Sequence, residues 1–258
     1  MQLSEKSVVI TGSGSGVGRA AALLFAAEGA NVVCADVQED WVKETARLIE
    51  AQGGSAIAQR CDVTKEAEVE GAVAAAAAAF GRLDVMFNNA GVASPPGMPN
   101  FEDYDDAMWD RLMNINLRGV FYGMKHAIRR FKAQESGGVI VNTASAAGLV
   151  GWGGTVYGTS KGGVVQMTRA VAIECAPFDI RVNAVCPAAM PTNFGVQDPA
   201  LAFQERTAEQ LEGMGKIHPL GRPIAPEDIA AAALFLASDA ACNITGVLLP
   251  VDGGYTAR

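Results

Sequence analysis

Short apolar runs rich in β-branched residues recur along the chain: "SVVIT" (7–11), "ANVVCAD" (30–36), "SAIAQRCDV" (55–63), "LDVMFNN" (83–89), "GGVIVNTAS" (137–145), "IRVNAVCP" (180–187) and "GVLLPVDGG" (246–254). Each reads as a strand, and most are apolar on both faces, the mark of strands covered on both sides. Longer segments of helical pattern separate most of them. Parallel strands need such crossover connections, so the order predicts an α/β fold: a doubly wound parallel sheet of about seven strands with helices on both faces. No Pro/Ser-rich linker, charge block or internal repeat interrupts it, and residues 1–258 read as a single domain. The least regular stretch, 187–226, mixes turn residues with one short helical pattern and reads as a mobile substrate-binding flap within that domain.

Composition narrows the function classes. With 258 residues, half of them hydrophobic, the chain can bury a sizeable core. A net charge of −8 offers no basic surface for a phosphate backbone, which excludes nucleic acid as the expected partner. Cys34, Cys61, Cys175, Cys186 and Cys242 are scattered without paired spacing and read as small hydrophobes in a reducing compartment. His126 and His218 belong to no metal-ligand pattern. The poly-alanine run 74–79 is too short to span a bilayer, and strand-like sequence begins within a few residues of Met1. The expectation is a cytoplasmic protein with no metal and no membrane partner.

In a doubly wound sheet the first strand ends at a crevice, where the next helix presents unpaired N–H groups and a positive dipole end. The stretch "VVITGSGSGVGRAAALLFAAEG" puts its glycines at that handover. Gly12, Gly16 and Gly18 suit a tight turn, the close approach of a pyrophosphate and the packing of helix on strand, with Ser15 and Val17 in the same turn. The second strand ends in Asp36, whose carboxylate can accept the hydroxyls of an adenosine ribose and repels a 2′-phosphate. Ser15 and Val37 carry no charge to welcome that phosphate. The expected cofactor is NAD, the alternative for Asp36 being a cap on the following helix.

Taken together, "TGSGSGVG" (11–18), "CDVT" (61–64), "NNAG" (88–91), "NINLRGVF" (114–121), "NTAS" (142–145), "YGTSK" (157–161), "NAVCPAAMPT" (183–192) and "VDGGYTA" (251–257) resemble the classical short-chain dehydrogenases/reductases over essentially the whole chain. The resemblance implies a Rossmann-type fold. It implies that Asp62 and Val63 hold the adenine, that Asn89, Ala90 and Gly91 support the central strand and the cofactor ribose, and that Pro187, Met190 and Thr192 lie by the nicotinamide. Asn116, Ser145, Tyr157 and Lys161 would form a catalytic tetrad, with the side chain and freed backbone of Asn116 holding a water that links Lys161 to solvent. The chain departs from the family where Ala188 follows Pro187 in place of the usual glycine.

The residue types fit that chemistry. Tyr157 and Lys161 are four apart, hence on one helix face. A free phenol titrates near ~10, and an adjacent ammonium and a cationic nicotinamide both favour phenolate, so a lowered Tyr157 pKa and an acid/base role are expected. Ser145 closes a strand at the ligand-binding edge, where its hydroxyl can hydrogen-bond a substrate oxygen. Singly, each residue has an ordinary alternative as surface pair, turn or helix kink. Ala147, Val150, Trp152, Ala189, Met190 and Phe194, with Phe203, Leu211 and Met214 from the flap, suggest a largely apolar pocket. The reading is an NAD-dependent oxidoreductase of an uncharged, lipophilic secondary alcohol or ketone, of an alicyclic or steroid-like kind. The rivals are an acyl-carrier-protein-linked 3-oxoacyl reductase and an idle NAD-sensing module. Apolar helix faces rich in Met, Phe and Ala predict a homo-oligomer, a tetramer as in relatives.

Overall fold

The computed structural model describes residues 1–94, 97, 99–191, 194 and 207–257. Seven strands form one sheet: β1 (Ser7–Thr11), β2 (Asn31–Asp36), β3 (Ser55–Arg60), β4 (Val85–Asn88), β5 (Gly138–Thr143), β6 (Ile180–Pro187) and β7 (Leu248–Val251). Their order is β3-β2-β1-β4-β5-β6-β7, and every pairing is parallel. The helices are α1 (Gly16–Ala27), α2 (Glu39–Ala51), α3 (Glu66–Phe80), α4 (Asp106–Met113), α5 (Gly119–Gln134), α6 (Thr155–Cys175), α7 (Ala208–Gly215) and α8 (Pro226–Ala237). The expected sheet of about seven strands with two covered faces is the fold observed.

Alternation along the strands divides the core. Val8, Ile10, Val32 and Cys34 pack with Phe25 of α1, Ile49 of α2 and Ile229 of α8 on one face. Val9, Val33 and Met86 pack with Val69 of α3, Phe131 of α5 and Val164 of α6 on the other. Successive residues thus serve opposite layers, which is why the strands read as continuous apolar runs.

Local signals set the helix ends. In α1, Ala and Leu dominate after Gly16, and the helix stops ahead of Gly29, whose φ is +90°. In α8, Pro226 takes the first turn and the Asp228 carboxylate accepts the Ala225 N–H at 2.9 Å. A buried polar chain pins α6 to the sheet: Asn88 Nδ2 donates to Asn142 Oδ1 (2.9 Å), and Asn142 Nδ2 donates to Thr168 Oγ1 (3.0 Å). Within 187–226, α7 carries a capping box of Thr207 and Gln210. Thr192, Phe203 and Arg206 lie outside the described residues.

Candidate active site

The strand order reverses between β1 and β4, and the glycine turn after β1 sits at that switch point. Gly12 has φ +68°, and a Cβ there would stand 2.8 Å from the Ala90 Cα. A Cβ on Gly18 would stand 2.1 Å from the Gly12 carbonyl oxygen. The turn is therefore pressed onto the end of β4, and α1 onto the turn. Gly18 does this packing without reaching the cavity wall, while Gly12, Ser15, Gly16 and Val17 all line it.

Asn89 ties the neighbouring strand ends together. Its Nδ2 donates to the Thr11 carbonyl (3.1 Å), its Oδ1 accepts from Thr143 Oγ1 (3.1 Å), and Thr11 Oγ1 accepts the N–H groups of Asn89 (3.0 Å) and Ala90 (3.1 Å). Thr11 and Thr143 were not singled out from sequence. The signal available was a threonine closing each strand that flanks the asparagine.

One cavity of about 740 Å³ runs along this edge. At one end are Asp36, Val37, Gln38, Trp41, Asp62, Val63 and Thr64. Asp36 Oδ2 accepts the Gly14 N–H and Oδ1 the Gln38 N–H, both at 2.9 Å, so the carboxylate is held by backbone with lone pairs to spare. As a helix cap it is marginal, because α2 has Gln38 as its N-cap residue. Asp62 Oδ1 accepts from the Thr64 N–H (3.0 Å) and hydroxyl (2.7 Å), shaping the turn into α3.

Asn89, Ala90 and Gly91 lie midway, and Ser145, Tyr157, Lys161, Pro187, Ala188, Ala189, Met190, Trp152 and Phe194 line the other end. The cradle left by the absent Cβ of Gly12, the backbone-held carboxylate and the N-terminus of α1 suit a dinucleotide in charge and shape. Ala147, Val150, Leu211 and Met214 are not on the wall: Ala147 is buried behind it with Tyr157, and Val150 faces solvent. Arg111, not anticipated, is on it.

Ser145 follows β5 with Oγ donating to the Pro187 carbonyl (3.3 Å) and accepting the Ala147 N–H (3.1 Å). Tyr157 faces that hydroxyl, with the Phe194 ring edge-on at 5.9 Å between centroids. Lys161 Nζ donates to the Thr143 carbonyl (2.7 Å) and stands 6.0 Å from the Tyr157 ring centroid.

The expected lowering of the Tyr157 pKa is not what the protein alone produces. Burial pushes the phenol up to about 12, with the Ser145 hydrogen bond pulling the other way. Burial also brings Lys161 down to about 8. The ammonium is turned to the Thr143 carbonyl, so desolvation outweighs its attraction for phenolate.

Asn116 lies in a π-helical turn, Asn114–Arg118, between α4 and α5, and is fully buried. Its Oδ1 accepts the Val92 N–H (2.8 Å), and its Nδ2 donates to the Val92 carbonyl (2.9 Å) and to Ser160 Oγ (3.3 Å). The carboxamide clamps the segment after β4. It remains beside the site: a Cβ on Gly91 would lie 3.2 Å from Asn116 Oδ1 and 3.5 Å from Lys161 Nζ.

Dinucleotide-dependent oxidoreductases are the class in which a phosphate-binding turn and a phenol–ammonium pair share one cleft. Residues 12–256 match the family model described as enoyl-(acyl carrier protein) reductase. The chain is 42% identical to 3beta-hydroxysteroid dehydrogenase 1 of Eggerthella lenta, across 98% of this chain and 95% of that one. It is 42% identical to cis-4-hydroxycyclohexanecarboxylate dehydrogenase of Sinomonas cyclohexanicum, across 98% of each. The structure superimposes on a short-chain type dehydrogenase/reductase from Mycobacterium marinum with a TM-score of 0.88, at 33% identity, covering 100% of this chain and 97% of that one. The chain belongs to the short-chain dehydrogenase/reductase family. It is an oxidoreductase of the secondary alcohol/ketone type that uses a nicotinamide cofactor.

Proposed function

We propose that this enzyme is NAD-dependent and that it interconverts an uncharged, lipophilic secondary alcohol, alicyclic or steroid-like, and its ketone. The observation that carries the reading is that one cavity has the backbone-held Asp36 carboxylate at one end and Tyr157, Ser145 and Lys161 at the other. The bound nicotinamide would supply the hydride acceptor and a positive charge. Tyr157 Oη takes the carbinol proton during oxidation and returns it during reduction. The Ser145 hydroxyl donates to the reacting oxygen as charge develops there. Lys161 favours phenolate as an adjacent cation, and the Asn116 clamp holds Gly91 and Val92 beside it. Phe194, Met190 and Trp152 give the reacting end an apolar lining that excludes water.

Absorbance of NADH with cyclic alcohols, sugars and 2-hydroxy acids tests this. The cyclic alcohols should have the highest kcat/KM, and a clear advantage for sugars would overturn the reading. A second reading, an apolar substrate with an anionic tail, is favoured by Arg111, which stands in the cavity wall and makes no ion pair among the described residues. Higher specificity for a hydroxycyclohexane carboxylate than for cyclohexanol, lost in Arg111→Gln, would select it.

The same proposal includes a flap over 187–226, a cytoplasmic location and a homotetramer. Phe121 on α5 and Ile173 on α6 are exposed, as are Phe235 on α8 and Val247 before β7, apolar surface suited to two subunit contacts. Light scattering at the monomer mass of 26.8 kDa would refute the assembly.

A further inference from the structure

The Asp36 end of the cavity contains a bulky side chain that a ribose-binding carboxylate does not need. Trp41, in the first turn of α2, lines the wall together with Ser15, Asp36 and Gln38. Its Cβ and the Asp36 carboxylate bracket Gly14 from the same side: a Cβ on Gly14 would meet Asp36 Oδ2 at 2.9 Å and the Trp41 Cβ at 3.0 Å. A phosphate taking the carboxylate's place would therefore enter a space bounded by Gly14, the Gln38 N–H and Trp41. A cation holds the Trp41 backbone. Arg19 donates Nη2 to the Trp41 carbonyl (3.3 Å) and Nε to Thr45 Oγ1 (3.0 Å), is close enough to Asp36 to feel its charge, and is not on the cavity wall.

We infer that Trp41 is a second selector against a 2′-phosphorylated cofactor, acting by volume where Asp36 acts by charge. The inference rests on the reading of Asp36 as the ribose ligand. With Asp36 neutralised, the Gly14 and Gln38 N–H groups become donors for a phosphate, but the Trp41 side chain still stands in the wall beside Gly14 and restricts the room for it. With the indole removed, Asp36 still repels it. Only loss of both opens the site and gives the phosphate access to Arg19, so the two substitutions must be strongly non-additive.

The test is a double-substitution cycle of Asp36→Ala and Trp41→Ala. Its readouts are kcat/KM for NAD and NADP and, independently of turnover, calorimetric affinities for adenosine 2′,5′-bisphosphate and 5′-AMP. The double variant should gain at least about tenfold in bisphosphate affinity and in kcat/KM for NADP beyond the product of the single effects. Multiplicative effects, or Asp36→Ala alone matching the double variant, would overturn the role of Trp41. Should Trp41→Ala fail to fold, Trp41→Phe and Trp41→Leu in the Asp36→Ala background decide the matter. Bisphosphate affinity should rise as the side chain shrinks, and a flat series refutes the inference. Equal use of NAD and NADP by the unaltered protein would instead refute the reading of Asp36.

Discussion

Lys161→Met should make the protein more stable while removing its activity. Lys161 is 2% exposed, its ammonium has the Thr143 carbonyl as hydrogen-bond partner, and among the described residues no carboxylate pairs with it. Burial lowers its pKa from 10.5 to about 8. At about 1.4 kcal/mol per pH unit, that difference withholds roughly 3 kcal/mol of stability at neutral pH. Methionine fills similar volume without charge but leaves the Thr143 carbonyl unpaired, a loss of about 1–3 kcal/mol. The net gain is up to about 2 kcal/mol, or up to about 4 °C in Tm at roughly 2 cal/mol/K of unfolding entropy per residue.

The pH dependence separates this cause from packing. Below the native pKa of about 8 both folded and unfolded chains carry the ammonium, and wild type bears the whole penalty. Between about 8 and 10.5 the native state has lost the proton that the unfolded chain still binds, so wild-type stability rises with pH and the variant's advantage shrinks. Tyr157, raised to about 12, weakens the fold only above its usual 10, outside the range compared. Urea unfolding of both proteins at pH 7 and pH 9.5 provides the comparison. A variant less stable than wild type at pH 7, or a difference that does not move with pH, would show that the buried ammonium is not strained.

Tyr157→Phe should lower turnover by roughly a thousandfold while NADH binding, read by fluorescence, stays within about threefold, because the ring still packs and only the proton carrier is lost. Asn116→Ala leaves the Val92 N–H and carbonyl and the Ser160 hydroxyl without their buried partner. It should cost about 2–4 kcal/mol in denaturant unfolding as well as activity, and a loss of activity alone would contradict the clamp. Of the five cysteines, Cys34, Cys61 and Cys186 are pushed up to about 12 by burial, Cys175 is raised as well, and Cys242 is exposed. A disulfide reagent at pH 8 should therefore titrate one thiol per native chain, with the remaining four reacting only on unfolding.

What could be read from the chain alone follows from which forces act locally. The strands were legible because a buried parallel sheet makes both faces apolar, and the glycine turn because backbone geometry must be written in residue type. The π turn left no such trace: "AMWDRLMNINLRGVFYGMKHAIRRF" keeps one helical period throughout, and Asn116's partner Val92 is 24 positions away in the chain. Wall residues were half legible. Trp152, Ala189, Met190 and Phe194 are on the cavity, but Ala147 is buried behind it, Leu211 and Met214 are not on its wall, and Trp41 and Arg111 are. The Tyr157 pKa shows the same limit in energetic form. Spacing of four residues reveals that a cation is near, which fixes the sign of one interaction; it does not reveal that both groups are buried, and burial is the larger effect on each. A phenol held up to about 12 by the protein alone needs further positive charge to act near neutral pH, and in this family a bound nicotinamide supplies it beside the reacting atoms. With Tyr157 in its proposed role, proton transfer from substrate would thereby be tied to cofactor binding.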